Sequence, residues 1–87
     1  MRIQVTAEHI KKGQIDEAMS CPIALALEGA GIVEPWVTGQ LIVCGELGLR
    51  ETLIPTLQIR EFICAFDRSE PVMPFEFEFD ELQPGRG

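Results

Sequence analysis

The chain has 87 residues, a mass of 9.7 kDa and a formal net charge of −7, from fourteen acidic and seven basic residues. This length is enough for one domain, since two domains would each be too small to bury a self-sufficient core. Apolar residues make up 46% and charged residues 24% of the chain, which is typical of globular proteins and argues against disorder. The acidic balance argues against direct nucleic-acid binding and against docking on anionic membranes, because both need a basic surface.

The N-terminus and the cysteines bear on the cellular compartment. The segment Met1–Thr6 lacks the apolar stretch of a signal peptide, and the strongly apolar run Ile23–Leu27 is far too short for a membrane span. Cys21, Cys44 and Cys64 are odd in number and widely spaced, unlike the disulfide framework of a small secreted domain. We therefore expect a cytoplasmic protein whose three thiols are buried and reduced.

Hydrophobic periodicity predicts the first half of the fold in chain order. The segment Ile3–Val5 alternates as a strand does, and Thr6 is suited to cap a short helix that ends at Gly13. Ser20 is then expected to cap a central helix over Pro22–Ala30, which is apolar nearly all round.

The second half predicts two strands, a helix and a last strand. Trp36–Thr38 and Gln40–Cys44 are typical of two short strands, or of one strand bent between them. Pro55 is suited to open a helix that runs to about Arg68 along an apolar stripe. The segment Phe75–Asp80 alternates phenylalanine with acid, which is typical of a strand with one buried face.

The order β-α-α-β-β-α-β predicts an α+β fold, with a small, mainly antiparallel sheet and helices packed on one face. We expect a single compact domain over residues 1–82 and a flexible C-terminal tail over residues 83–87. The predicted core consists of Ile3, Val5, Ile23, Leu27, Leu41, Val43, Ile59, Phe62, Ile63, Phe66, Phe75, Phe77 and Phe79.

Two features could mark a protein-binding surface. Glu76, Glu78 and Asp80 recur every ~6.6 Å along the last strand, so they could imitate a nucleic-acid backbone and occupy a basic cleft on another protein. The same residues also suit an ordinary solvated face that protects an edge strand from aggregation. Trp36, the single tryptophan, could anchor an interface or lie in or at the edge of the core.

Catalytic and metal-binding chemistry has little support in the sequence. Cys21 begins a predicted helix, whose positive end would lower the thiol pKa, and His9 is the only histidine that could serve as its base. No nucleophile motif surrounds this dyad, so we expect no enzyme and no catalytic residue, with Cys21 as a small buried hydrophobe. Cys44 and Cys64 would complete a Cys₃His set, but intervals of 23 and 20 residues are unlike a zinc site, so no metal or cofactor is expected.

Three segments taken together carry a resemblance to other proteins. They are Val5–Ile10, Cys21–Leu27 and Ala65–Phe77. The set resembles short uncharacterised proteins of about this length that are carried by phages, prophages and some bacteria. The resemblance implies a viral or mobile-element setting, and therefore the host cytoplasm for a phage-encoded chain. It implies no activity and no functional residues.

These observations favour a small, non-enzymatic binding protein that acts on a host protein, for example as an inhibitor. Its contact residues would be Glu76, Glu78, Asp80 and Trp36.

The alternative is a protein that sequesters a nucleotide or a similar small molecule. Its pocket would lie at an oligomer interface, because a single small core has little room for a cavity of ~300 Å³. Arg50, Arg60 and Arg68 would then bind the phosphates. A homodimer is compatible with both hypotheses.

Overall fold

Helices and antiparallel strands alternate along the chain in an α+β fold, which confirms the predicted fold class. The computed structural model describes residues 1–45 and 50–84. Its elements are β1 (Arg2–Val5), α1 (Ala7–Lys12), α2 (Pro22–Gly29), β2 (Trp36–Val37), β3 (Ile42–Cys44), β4 (Glu51–Ile54), α3 (Leu57–Asp67), β5 (Phe75–Glu78) and β6 (Gln83–Pro84), with a 3₁₀ turn over Phe79–Glu81. In the part of the chain described, no helix has the length and apolar character of a bilayer span.

The strands are divided between two sheets. β1 pairs with β5, so the second strand of this sheet comes from the far end of the sequence. The other sheet has the order β2-β3-β4-β6, and each neighbouring pair is antiparallel. β4 and β6 add to the strands that the sequence predicted. β6 takes Gln83–Pro84 from the expected tail, and residues 85–87 lie outside the described part.

The central helix α2 begins with a cysteine cap. Cys21 Sγ accepts a hydrogen bond from the Ala24 N–H over 3.4 Å, and Pro22 takes the first helical position, where its missing N–H costs nothing. The prediction that Ser20 caps this helix is therefore wrong by one residue. The sequence favoured serine because its oxygen is the stronger acceptor.

The end of α2 is a Schellman motif. Gly31 has a φ of +94°, its N–H donates to the Glu28 carbonyl, and the Ile32 N–H donates to the Leu27 carbonyl, both over 3.0 Å. This left-handed turn suits glycine, which has no Cβ to clash. It directs Ile32 back onto the core beside Leu27.

The core lies where α2 contacts strands of both sheets and α3 packs on β5. Phe62 of α3 meets Phe75 of β5 with ring centroids 4.9 Å apart. The buried apolar residues are Ile3, Val5, Cys21, Ile23, Ala24, Ala26, Leu27, Val37, Ile42, Cys44, Leu53, Ile59, Phe62, Ile63, Phe77 and Leu82. The predicted core members Phe66, Phe75 and Phe79 are half-buried and pack against this cluster.

One predicted part of the core is wrong, and the error is the face of β3. Ile42 and Cys44 are buried, whereas Leu41 is 39% exposed and Val43 is half-buried. A strand that is apolar on both faces gives no periodicity to choose between them, so the sequence left the orientation open. The true orientation places apolar side chains on the outside of the sheet.

Candidate functional site

Glu76 and Glu78 of β5, together with Asp80 of the 3₁₀ turn that follows, lie in an ion-pair network with the start of the chain. The predicted strand over Phe75–Asp80 is too long by two residues, since β5 ends at Glu78. Arg2 stands directly opposite Glu78 in the β1–β5 register. Its Nε donates to Glu78 Oε1 over 2.9 Å, and its Nη1 donates to Glu76 Oε1 over 3.1 Å. The amino group of Met1 donates to Asp80 and lies 3.6 Å from Glu78 Oε2. Three carboxylates therefore face two cations.

This network changes the charge that the acidic row presents to solvent. The hydrogen bond that Arg2 donates to Glu78 raises the pKa of Arg2, and the hydrogen bond that the Met1 amino group donates to Asp80 raises the pKa of that amino group. The row keeps a surplus of one negative charge, because the two cations offset two of its three acids. It is therefore a partly neutralised patch and not a continuous line of free charge.

The outer face of the four-stranded sheet is apolar. Trp36 of β2 stands opposite Val43 of β3, which stands opposite Thr52 of β4. Continuing the β3–β4 register by one residue places Leu41 across from Ile54. Because side chains alternate across a strand, these five residues share one face while Val37, Ile42 and Leu53 point to the core. We call Trp36, Leu41, Val43, Thr52 and Ile54 the Trp36 face.

The Trp36 face is open to solvent. Trp36 is 45% exposed, Leu41 39% and Ile54 37%, and Val43 and Thr52 are half-buried between them. Of the two alternatives for the single tryptophan, the structure places it on the surface. Sequence reasoning missed Leu41 and Ile54 as its neighbours. The available signal was the apolar run Leu41–Cys44, which is too apolar for a strand that buries only one face.

An ion pair closes one end of the Trp36 face. Arg50 Nη2 donates to the Glu34 carbonyl over 3.3 Å, and its Nη1 lies 3.7 Å from Glu34 Oε2. Arg50, a residue of the proposed phosphate set, is thus engaged with the protein itself.

The other two arginines of the phosphate set lie on α3. Arg60 is exposed on the helix and Arg68 is its C-cap, which places them ~12 Å apart along the axis. Of five grooves on the surface of the described residues, none is lined by Arg50, Arg60 or Arg68. The single chain does not bring them together, and a pocket between subunits stays a prediction.

Cys21 and His9 form no hydrogen bond with each other in the part of the chain that the structure describes, so the Cys21–His9 dyad is not formed. His9 Nδ1 accepts from the Thr6 N–H over 3.1 Å, and Thr6 Oγ1 accepts from the His9 N–H over 3.3 Å, so this histidine completes the predicted Thr6 cap. Cys21 is buried and lines a separate groove. Burial raises the pKa of its thiol, more than the helix N–H groups lower it. The expectation of a lowered pKa is therefore wrong.

The three cysteines are free and lie in different settings. Cys21 and Cys44 are buried, as expected, whereas Cys64 is exposed on α3, which corrects the expectation that all three are buried. Across residues 1–45 and 50–84, no group of three or more histidine, cysteine or acidic side chains is placed to hold a metal ion.

Comparisons of the chain with protein-family models, with curated proteins and with solved structures found no match.

Proposed function

We propose that this chain is a small, acidic, non-enzymatic binding protein that acts on a protein of its host, with the Trp36 face as its docking surface. One observation carries the proposal: a tryptophan that is 45% exposed shares one sheet face with two exposed aliphatic side chains, Leu41 and Ile54. The form we propose is an inhibitor, and the resemblance to phage and prophage proteins supports only its setting on a mobile element.

The shape and composition of the Trp36 face favour a protein as the ligand. Small molecules bind in concave pockets that enclose most of their surface, whereas a sheet face is broad and shallow. Tryptophan is enriched among the residues that dominate binding energy at protein interfaces, since it buries a large area with little loss of side-chain freedom. Leu41 lies on the strand next to Trp36 and Ile54 on the strand beyond it, so the apolar surface continues from Trp36 across three strands.

The charge distribution indicates what kind of partner fits. The chain as a whole carries −7, whereas the Trp36 face has no charged member and ends in the Arg50–Glu34 pair. The partner should therefore present an apolar patch with lysine or arginine at its rim, where the field of the acidic chain speeds association. A second copy of the chain is disfavoured because it carries the same charge.

Two single substitutions test the proposal with a matched pair of exposed apolar residues. Trp36→Ser removes the centre of the face, and Met73→Ser removes a side chain that is 79% exposed elsewhere on the surface. The wild-type chain is used to isolate a partner from bacterial host lysate, and the purified partner is then titrated by calorimetry against all three proteins. We expect Trp36→Ser to weaken binding by at least about tenfold and Met73→Ser to leave it unchanged, as ~2 kcal/mol or more is typical of a central tryptophan.

Equal affinity of the partner for the wild type and Trp36→Ser would overturn the proposal. A rise in melting temperature with a nucleotide, seen only in a dimer of the chain, would instead favour the sequestering alternative.

A further inference from the structure

The strand β5 has one paired edge. Within residues 1–45 and 50–84, β5 pairs with β1 and its other edge meets no strand. The Phe79 N–H donates to the Met1 carbonyl over 2.8 Å, so Met1 and Phe79 are a hydrogen-bonded pair of the antiparallel ladder. Every second pair along the ladder is then hydrogen-bonded as well. Phe77 and Phe75 therefore direct their backbone groups toward β1. Glu76 and Glu78 direct theirs to the other side.

The outward backbone groups of Glu76 and Glu78 have no hydrogen-bond partner among the described residues. They border a groove of about 420 Å³. One wall of this groove is β5 itself, at Glu76–Glu78, and the other is the first turn of α3, at Thr56–Gln58. Arg2, which is paired with Glu76 and Glu78, also lines the groove. An unpaired strand edge beside an open groove is the arrangement to which an extended peptide adds as a further strand.

We propose that this groove, the β5 groove, binds an extended segment of a partner protein as a third strand of the β1–β5 sheet. The proposal concerns a second surface and does not rest on the Trp36 face. It commits to a segment in which basic and apolar residues alternate.

The alternation of basic and apolar residues in the bound segment follows from the different surroundings on the two faces of the added strand. Its side chains point by turns to the two faces of the sheet, as those of β5 do. On the outer face they meet Glu76 and Glu78, where the network with Arg2 and Met1 leaves one negative charge in surplus, so lysine or arginine fits. On the other face they approach Leu57, which is 70% exposed at the start of α3, so an apolar side chain fits.

The length of the edge limits the segment. β5 has four residues, which span ~13 Å at a strand rise of ~3.3 Å per residue. A segment of about four to six residues covers this edge. Most of its hydrogen bonds would use backbone atoms, so the site tolerates variation in sequence and depends on the alternation and on free peptide N–H groups.

The probe for the test is an acetylated, amidated and fluorescein-labelled peptide of four Lys-Val repeats, followed by fluorescence anisotropy. Its control is the same peptide with N-methyl groups on alternate residues, prepared in both registers, which keeps every side chain and charge but removes one set of N–H donors. We expect the wild-type chain to bind the parent peptide at least about tenfold more tightly than the weaker of the two methylated peptides.

Two substitutions of Glu78 form a matched pair of protein variants. Glu78 has a φ of −90°, near the range of proline, and its N–H points away from β1, so Glu78→Pro removes an edge donor without removing a ladder hydrogen bond. Glu78→Gln removes the same charge but keeps the donor. We expect Glu78→Pro to bind the parent peptide at least about tenfold more weakly than Glu78→Gln, while Trp36→Ser binds as the wild type does.

Hydrogen exchange on the wild type keeps the test decisive if Glu78→Pro fails to fold. The Glu76 and Glu78 amides should exchange fast in the free chain and slow when the parent peptide is added. Equal binding of parent and both methylated peptides, or no change in those two amides, overturns the proposal. A concentration-dependent dimer that protects the same amides also overturns it, because the occupant of the edge would then be a second copy.

Discussion

Arg2 and Glu78 are 76 positions apart in the sequence and join the two strands of the β1–β5 sheet, with Arg2 Nε 2.9 Å from Glu78 Oε1. The pair lies on the outer face of the sheet and is exposed to solvent. Its main consequence is electrostatic, because it converts part of an acidic row into an internal network. For a partner that docks on the Trp36 face, the row then acts through the long-range field of the chain and not through contact.

The triple substitution Glu76→Gln, Glu78→Gln and Asp80→Asn should therefore leave the fold intact and slow association with the partner, with little effect on dissociation. Charges at a distance from a contact act on the encounter rate, and the salt dependence of that rate should become shallower. Stopped-flow measurements at two ionic strengths give both the association rate and its salt dependence. The matched control replaces three exposed acids elsewhere, Glu28, Glu61 and Glu70, by glutamine.

A complete loss of binding in the first triple variant, with the control variant unaffected, would contradict this expectation. The acidic row would then be the contact surface and the Trp36 face would not.

The intrinsic fluorescence of the chain should report directly on the Trp36 face. Trp36 is the only tryptophan and the chain has no tyrosine, so the signal comes from one site. With 45% of the residue exposed, emission of the free chain should be red-shifted and readily quenched by acrylamide. Partner binding at this face should shift the emission to the blue and reduce quenching. Blue, quench-resistant emission from the free monomer would mean that Trp36 is already covered.

The three thiols should react with iodoacetamide in an order set by exposure. Cys64 is exposed, whereas Cys21 and Cys44 are buried, and burial raises the pKa of both buried thiols. A raised pKa lowers the thiolate fraction at any given pH, and the thiolate is the reactive form. At neutral pH we expect Cys64 to be alkylated first, with the other two protected until the pH rises well above 8.5 or the chain unfolds.

Mass spectrometry of peptides from a time course checks this order, and a urea-unfolded sample supplies the unprotected rate for each site. If Cys21 reacts faster than its unfolded reference at neutral pH, it is an activated nucleophile, and the non-enzymatic proposal has to be abandoned.

Two glycines should respond in opposite directions to alanine. A Cβ at Gly13 would lie 2.5 Å from Cδ of Pro22 and 2.8 Å from its backbone nitrogen, so the end of α1 fits against the start of α2 only without a side chain. Gly13→Ala should cost ~1–3 kcal/mol of unfolding free energy, as overpacking does. Gly29 lies in the last turn of α2 with nothing near its would-be Cβ, so Gly29→Ala should add up to ~1 kcal/mol.

Urea unfolding of both variants and the wild type gives the two differences. A Gly13→Ala variant as stable as the wild type would show that α1 does not approach Pro22 so closely.

The sequence predicted best where a single periodicity dominated. The alternation over Phe75–Glu78 became β5, and the apolar segment Pro22–Gly29 became the buried helix α2. β4 was missed because Glu51–Ile54 is short and has one buried residue, so its place depends on pairing with β3. The docking surface depends on the same long-range pairing, since register alone brings Ile54 beside Leu41.

The orientation of β3, on which the Trp36 face depends, can be tested with neighbouring substitutions. Ile42 is fully buried and Leu41 is 39% exposed, although the two are adjacent and similar in size. Ile42→Asp would bury an unpaired carboxylate, which costs several kcal/mol, a large part of the ~4–13 kcal/mol expected for a chain of this length. We expect that variant to be unfolded by circular dichroism and by the loss of a cooperative thermal transition. Leu41→Asp should stay folded, because its carboxylate remains in water, and it should lose affinity for the partner. If the two variants exchange these behaviours, β3 faces the other way, and Trp36, which shares the face of Val43 and Leu41, would belong to the core.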